Sequence, residues 1–377
     1  VPDEIVTLKV NGKAFSSWES LTLTENLDEV ADAFSFSSGF NPNRSDLVES
    51  FRPMGYQPCT VEIDGELMLT GTLEFPQTST SADSRDLNAQ GRSLPGVLVD
   101  CPIDIVNGPR DLQWRDVKLG RLATIVATPY GIKVVTPQGD SGTIKIANSF
   151  GADTATVANE PATGLIKASP GDTVAAFLVG IAKPMGWLLN SSPKGELQLV
   201  RSETNLTPVA KIEEGKGSFL GARSGVDGTK LFQKTRVIQQ MGGWPDIKSD
   251  ATNPAVKLYR LKMTAGSSGN PSQLATYAQW DQATALAEAF SLEVDVTGWK
   301  TDAGVLWRKG QAVSVLAPGA FILRETDFVI AGVTRTLSTE GRTTTLRLVF
   351  PGAYAGTLPS LYPWSEVIPA RKALRGA

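Results

Sequence analysis

The sequence predicts a β-rich, multi-domain α+β protein, built around two similar antiparallel β-barrel-like domains. Three observations carry this. The stretch from Val294 to Tyr354 is almost all strand and turn. Residues 1–95 repeat the same grammar, with Asn11-Gly12 and Asp64-Gly65 as hairpin signals. Between them lie two copies of a helix–Pro-x-Gly–strand pattern. The expected division is a first β-barrel domain over 1–95 and an α+β domain over 96–207. A second β-barrel domain is assembled from 208–243 and 303–352, around an α+β insertion at 244–302. A tail covers 353–377.

In the first domain, Val6–Val10 alternates and turns at Asn11-Gly12. Leu21–Thr24 and Phe34–Ser37 read as strands, with a helical turn over Leu27–Ala33 between them. Cys59–Ile63 turns at Asp64-Gly65 and returns as Leu67–Thr70, then Thr72–Phe75. A polar loop, Thr78–Arg85, leads to Leu87–Gln90.

The middle region changes period. Val117, Leu119, Leu122, Ala123 and Val126 share one helical face, with Asp116 as the N-cap candidate and Pro129-Tyr130-Gly131 ending the helix. Val174, Phe177, Leu178 and Ile181 repeat those offsets before Pro184-Met185-Gly186. Each helix must bury its apolar stripe, most simply on a shared small sheet.

Residues 208–243 return to strands, including Thr235–Met241 after a Gly-rich polar loop, Gly215–Gly228. Pro245–Pro254 reads as a loop and Val256–Met263 as a strand. Pro271–Phe290 is the strongest helix, with Asn270 as N-cap candidate and two apolar faces: Leu274, Tyr277 and Ala278 on one, Trp280, Ala283, Ala287 and Phe290 on the other. Val294–Thr297, Ala312–Leu316, Phe328–Val333 and Thr343–Phe350 complete the β grammar, and Gly356–Ala377 reads as loose. The order strand, turn, strand ending in Gly, strand, polar loop, strand occurs twice, over Val61–Gly91 and Val313–Leu348. The chain therefore reads as built from duplicated parts.

Composition narrows the chemistry. The chain of 377 residues has no histidine and only two cysteines, Cys59 and Cys101. That removes His-based nucleophilic catalysis, His general bases and His-rich metal sites. The two cysteines are expected to be separate reduced thiols. A net charge of −3 argues against sequence-general nucleic-acid binding. No apolar run has the ~18 residues of a membrane helix, and VPDEIVTLKV is unlike a leader, so a soluble, non-secreted protein is expected. The Asn-x-Ser/Thr triplets at Asn43, Asn190 and Asn205 then carry no glycan.

Each candidate motif has a bland explanation. Gly139-Asp140-Ser141-Gly142 resembles the surroundings of a protease nucleophile, but no histidine exists to activate Ser141. Gly215-Lys216-Gly217 with Gly221 lacks the spacing of a phosphate loop. Glu62, Asp64 and Glu66 lie on one hairpin, where a solvated face is the ordinary reading and a glycosidase pair the alternative. Trp299 and Trp307 suit packing under a turn, with sugar stacking as the alternative. No catalytic, cofactor-binding or metal residues are expected, and no cofactor. A structural or interaction protein is the expectation, against a carbohydrate- or receptor-binding adhesin or a carboxylate-based cell-wall glycosidase.

A family resemblance runs over most of the chain. Gly298-Trp299, Gly304–Trp307, Gln311–Val315, Phe328–Val333 and Thr344–Phe350 followed by Pro351-Gly352-Ala353-Tyr354 resemble the C-terminal part of Mu-type baseplate hub proteins. These are central hubs of contractile phage tails, similar to the hub portion of type VI secretion spike proteins. Leu21–Phe36, Val61–Leu73, Gly91-Arg92-Ser93 and Leu98-Val99-Asp100 resemble the first part of such hubs. The helix–strand modules with Gly195-Glu196-Leu197 fit the middle, and the Val256–Met263 strand with the helix bearing Trp280 fits the region before Val294–Tyr354. The resemblance implies a non-enzymatic homotrimer in the virion baseplate, assembled in the host cytoplasm, with two tube-like β domains per chain. Three chains would then adapt a trimeric spike to a six-fold tail tube, touching other baseplate proteins. Phage DNA would pass through the lumen without specific binding, and no membrane insertion is implied.

Overall fold

The computed structural model describes residues 5–115, 117–138, 165–201, 206–239, 247–265 and 271–365. The first β unit comprises β1 (Val6–Val10), β2 (Lys13–Phe15), β3 (Ser20–Asn26), β4 (Ala33–Gly39), α1 (Ser45–Ser50), β5 (Pro58–Ile63), β6 (Glu66–Thr80) and β7 (Arg85–Ser93). Both hairpin signals work as the turn chemistry requires. Asn11 and Gly12 have φ of 51° and 78°, and Asp64 and Gly65 have 51° and 80°, the left-handed pairs of a type I′ turn. The expected helical turn over Leu27–Ala33 is instead a bend. Leu27 N–H donates to Ala331 O of β20 at 2.8 Å instead of starting a helix, and Asp32 folds back to accept from Asn26 N–H at 3.0 Å. Leu67–Thr70 and Thr72–Phe75 belong to one strand, β6, bulged at Glu74 between Leu73 and Phe75.

The middle region holds α2 (Val97–Asp100), β8 (Gln113–Arg115), α3 (Leu119–Ala127), β9 (Val134–Val135), β10 (Leu165–Lys167), α4 (Val174–Ala182), β11 (Leu188–Ser191) and β12 (Leu197–Val200). The N-cap of α3 is Lys118, not Asp116, which lies outside the described residues. Both helices run into a short 3₁₀ turn stopped by a left-handed glycine, Gly131 or Gly186, each at φ 72°. The strands that follow, β9 and β11, flank β12 in one three-stranded sheet. Leu119, Leu122, Val126, Val174 and Leu178 share its core.

The chain then forms β13 (Pro208–Glu213), β14 (Phe219–Val226), β15 (Lys234–Gln239), β16 (Ile247–Thr252), β17 (Leu261–Ala265), α5 (Pro271–Ala289), β18 (Phe290–Thr297), β19 (Ala312–Ala317), β20 (Ile322–Ser338) and β21 (Gly341–Val349). Several local readings change here. The Gly-rich segment after Gly217 is a strand, β14, because pairing along β18 overrides its composition. Ile247–Thr252 is a strand, not a loop, and Val256–Arg260 is not in a strand. Helix α5 stops at Ala289, and Phe290 opens β18 without a loop. The α5 residues Leu274 and Ala278 pack against Val237 and Ala251 of the small β16-β15-β17 sheet. Trp280 and Ala283, on the other face, are also buried. Asn270 lies outside the described residues. Tyr362 and Trp364 stack with ring centroids 5.1 Å apart and reach Phe350 and Phe290, so the tail up to Ser365 packs on the core.

One sheet joins both β units, in the order β14-β18-β21-β20-β3-β4-β7-β6-β5-β1-β2, with β19 on β20 and β13 on β19. It is an open path among the described strands rather than a closed barrel. Within it the same order appears twice: β3-β4-β7-β6-β5-β1 and β14-β18-β21-β20-β19-β13. Both central strands carry a one-residue bulge at the same place, Glu74 in β6 and Ala331 in β20. One edge differs, since β1 runs antiparallel to β5 and β13 parallel to β19.

Candidate functional site: a buried ionic seam between the two β units

The units meet where β3 pairs antiparallel with the C-terminal half of β20, from Asn26↔Gly332 to Leu21↔Leu337. Period-2 alternation turns Leu21, Leu23 and Glu25 of β3 inward, and Val333 and Arg335 of β20 likewise. Two opposite charges therefore enter the core on facing strands. Arg335 is 0% exposed and Glu25 2% exposed, with Arg335 Nη1 2.6 Å from Glu25 Oε2. Arg335 Nη2 also donates to Trp307 O. Arg308 Nη1 reaches Glu25 Oε1 at 3.3 Å, and its Nη2 binds Glu66.

The pattern extends along the seam. Lys309 Nζ donates to both Asp32 oxygens at 2.8 and 2.7 Å. Arg347 grips Asp28, whose Oδ2 also accepts from Tyr354 Oη at 2.6 Å. Lys300 Nζ meets Asp64 Oδ2 at 2.6 Å. In these pairs the acids, Glu25, Asp28, Asp32, Asp64 and Glu66, come from the first unit. The bases, Lys300, Arg308, Lys309, Arg335 and Arg347, come from the second. Of these, Glu25–Arg335 and Asp32–Lys309 are buried on both sides, and breaking a pair buried in that way costs about 3–5 kcal/mol, because the survivor is an uncompensated charge.

Protonation follows the same geometry. Burial opposes the Glu25 charge, but Arg335, Lys309 and Arg308 outweigh it and hold the carboxyl below its usual range. Burial likewise opposes Asp28, and its hydrogen bond and proximity to Arg347 win. Asp32 goes the other way. Its burial, with Glu25 nearby, outweighs Lys309 and pushes it up to about 6. A cleft of about 440 Å³ opens beside the cluster, where Asn190 and Gln198 of the middle region approach Arg308, Lys309 and Gln311. Asn190 Nδ2 donates to Leu27 O at 3.1 Å, tying the middle region to the seam.

The residues singled out by sequence fall elsewhere or serve this seam. Glu62, Asp64 and Glu66 do not form a carboxylate pair: each meets a different base, Lys9, Lys300 and Arg308. Trp299 and Trp307 are 0% and 1% exposed, so they pack and offer no face to a sugar. Gly215 and Gly217, at φ 75° and 56°, turn the chain from β13 to β14. Cys59 and Cys101 are both free, and burial with Glu74 nearby raises the Cys59 thiol to about 12. The segment around Ser141, and Asn205, lie outside the described residues. Among the described residues no group of three or more Cys, Asp or Glu is placed to hold a metal ion. No described helix is long and apolar enough to cross a membrane. Sequence reasoning missed the seam itself. Its signal was present: Glu25 in LTLTENL and Arg335 in VTRTL occupy the inward register of alternating strands.

Comparison with known proteins assigns the fold. Residues 5–93 match the family model of the Mu phage baseplate assembly protein GpP-like N-terminal domain, and residues 271–356 match that of the GpP fourth domain. The chain is similar to tail baseplate hub proteins of the Mu type, which supports a structural baseplate hub role. It is 24% identical over 353 residues to the baseplate hub protein gp44 of Escherichia phage Mu, covering 88% of this chain and 84% of that one. The 43 kDa tail protein of prophage MuSo2 from Shewanella oneidensis has 25% identity and a TM-score of 0.75, over 93% of this chain and 99% of that one. A tail protein from Neisseria meningitidis MC58 has 26% identity and a TM-score of 0.75, over 94% and 98%. The fold extends to the E. coli type VI secretion component c3393, at 10% identity and a TM-score of 0.54, over 91% and 76%. The two matched segments lie one on each side of the seam.

Proposed function

We propose that three copies of this hub form a collar at the axis of a contractile tail, with the spike on one face and the tail tube on the other. The carrying observation is the repeated strand order joined by a charge-locked seam. Three chains with two like units each present six, which suits a trimeric spike and a six-fold tube. The first β unit, the second β unit and the helix-bearing regions between them are the domains of this reading, with boundaries close to 95 and 207, and with the insertion ending at Ala289 rather than at 302, since β18 takes part in the second unit's strand order. The collar has no catalytic centre, and it takes its place among the other baseplate proteins in the host cytoplasm. DNA crosses its lumen without specific contacts, which the acidic balance favours, since a basic wall would retain phosphates by counterion release. Light scattering of the purified chain, alone and with the spike, tests this. A trimer in either condition is expected, and a monomer in both across a wide concentration range refutes the collar. Turnover of peptidoglycan abolished by a single carboxylate substitution would refute the non-catalytic reading.

A further inference from the structure

Two small three-stranded sheets stand beside the joined one, and they are covered differently. In the middle region every residue of β11 is buried. In the insertion, α5 covers one face of the β16-β15-β17 sheet, through Leu274 and Ala278 on Val237 and Ala251. The other face is open among the described residues, and the strand register says what it holds. Directly paired residues share a face. Lys234 and Leu261 therefore form one row, Asp250, Arg236 and Met263 the next, and Lys248 lies on the third. Met263 is 62% exposed, and Tyr259, just before β17, is 68% exposed. Tyr259 lies close enough to Arg236 to act on its charge.

We infer that this open sheet face docks an acidic segment of another baseplate protein. Its bases, Lys234, Arg236 and Lys248, outnumber its one acid, Asp250, in a chain whose net charge is −3. The face is thus opposite in sign to the protein as a whole, and its complement is an acidic surface. Asp250 neutralises only part of it. Arg236 Nε and Nη2 donate to the two Asp250 oxygens at 2.7 and 2.8 Å, and Lys234 Nζ lies 2.7 Å from Oδ2. The guanidinium is thereby fixed before a partner arrives, which lowers the ordering cost of binding. Lys248 has no ion pair among the described residues. A fixed arginine beside an exposed tyrosine and methionine, rimmed by lysines, has the composition of a protein-binding centre. Two other classes of partner fit less well. A single nucleic-acid strand needs several aromatic rings to stack on, and Tyr259 is the one ring placed at this face among the described residues. An anionic bilayer would meet the Asp250 carboxylate in the middle row.

The inference rests on the function proposed above only for where the partner is found, in an assembled tail. The test places the photo-crosslinker p-benzoylphenylalanine at Met263 of the full chain, in tails assembled in the bacterial host, and identifies the cross-linked peptides by mass spectrometry. A second chain with the crosslinker at Thr252, on the same face as Lys234, guards against a failure of the first to assemble. We expect one baseplate protein other than this chain, joined within an acidic segment. That segment, made as a fluorescent peptide, should bind the purified chain. Lys234→Glu and Lys248→Glu should each weaken binding about ten-fold with an unchanged circular dichroism spectrum, and Lys248→Arg should bind as wild type does. Should a charge reversal fail to fold, the loss of wild-type binding at high salt reads the same chemistry. Cross-links to a second copy of this chain, to phospholipid or to DNA would overturn the assignment, as would none in tails that assemble. A joined segment that is not acidic, or peptide binding indifferent to both charge and salt, overturns it too. Light scattering decides the collar separately: a monomeric chain that still binds the peptide overturns the collar and leaves this face standing.

Discussion

Arg335→Met tests whether the ionic seam holds the units together. The substitution keeps an unbranched apolar stem and removes the guanidinium with its charge. Glu25, 2% exposed, is then left with Arg308 at 3.3 Å as its nearest cation. Trp307 O also loses its donor. Removing one member of a buried pair costs about 3–5 kcal/mol, and a lost hydrogen bond about 1 kcal/mol. A loss of about 4 kcal/mol is expected, a large share of the 5–15 kcal/mol typical of a folded domain. Glu25→Gln should cost a similar amount, because Arg335 is then the stranded charge. The double variant strands neither, so it should cost about 2–3 kcal/mol less than the sum of the singles. Urea unfolding followed by circular dichroism, at pH 7.5, measures all three. Hydrogen exchange should localise the loss to the amides of β3 and β20. A cost under about 1 kcal/mol for Arg335→Met, or strict additivity in the double variant, would refute the reasoning.

Asp32 provides a pH signature. Its carboxyl is raised from 3.8 to about 6 in the fold. Its contribution is complete only well below the ordinary value of 3.8 and is lost as pH rises through 6, so wild type should lose about 2 kcal/mol relative to Asp32→Asn between pH 4 and pH 6.5. Glu25 and Asp28 act in the opposite sense and in a lower window, their contributions being lost only as pH falls below their ordinary values; urea unfolding at stepped pH separates the two. Gly91→Ala would place a Cβ 2.1 Å from Thr72 O and 2.6 Å from Phe34 Cζ, so a loss of about 3 kcal/mol is expected by thermal melting. A thiol reagent should titrate Cys101 in the native protein and Cys59 only after denaturation, since Cys59 is buried with a thiol raised to about 12.

The elements most legible in the sequence were those whose signal is local. Asn11-Gly12 and Asp64-Gly65 set their turns by themselves, and α3 and α4 each display an apolar face ended by a glycine. The strands misread, β14 and β16, have little apolar alternation. They exist because a neighbouring strand supplies their hydrogen bonds, and that neighbour is remote: β14 pairs with β18 across the whole α5 insertion. Short α1 has neither a capping side chain nor a long apolar stripe to announce it. The seam was half legible. The period-2 register places Glu25 and Arg335 inward, but each lies hundreds of residues from its partner in sequence, so nothing local joins them. Only the pairing of β3 with β20 explains why that placement is tolerable.

Where the seam forms explains why it tolerates charge. Within the chain, β3 and β20 meet once, during folding. Buried charges there are desolvated along with their partners, and mismatched registers are penalised because each carboxylate would face a wrong neighbour. The run of pairs from Asn26 with Gly332 to Leu21 with Leu337 is thereby set as one register, and that register fixes how the two units meet.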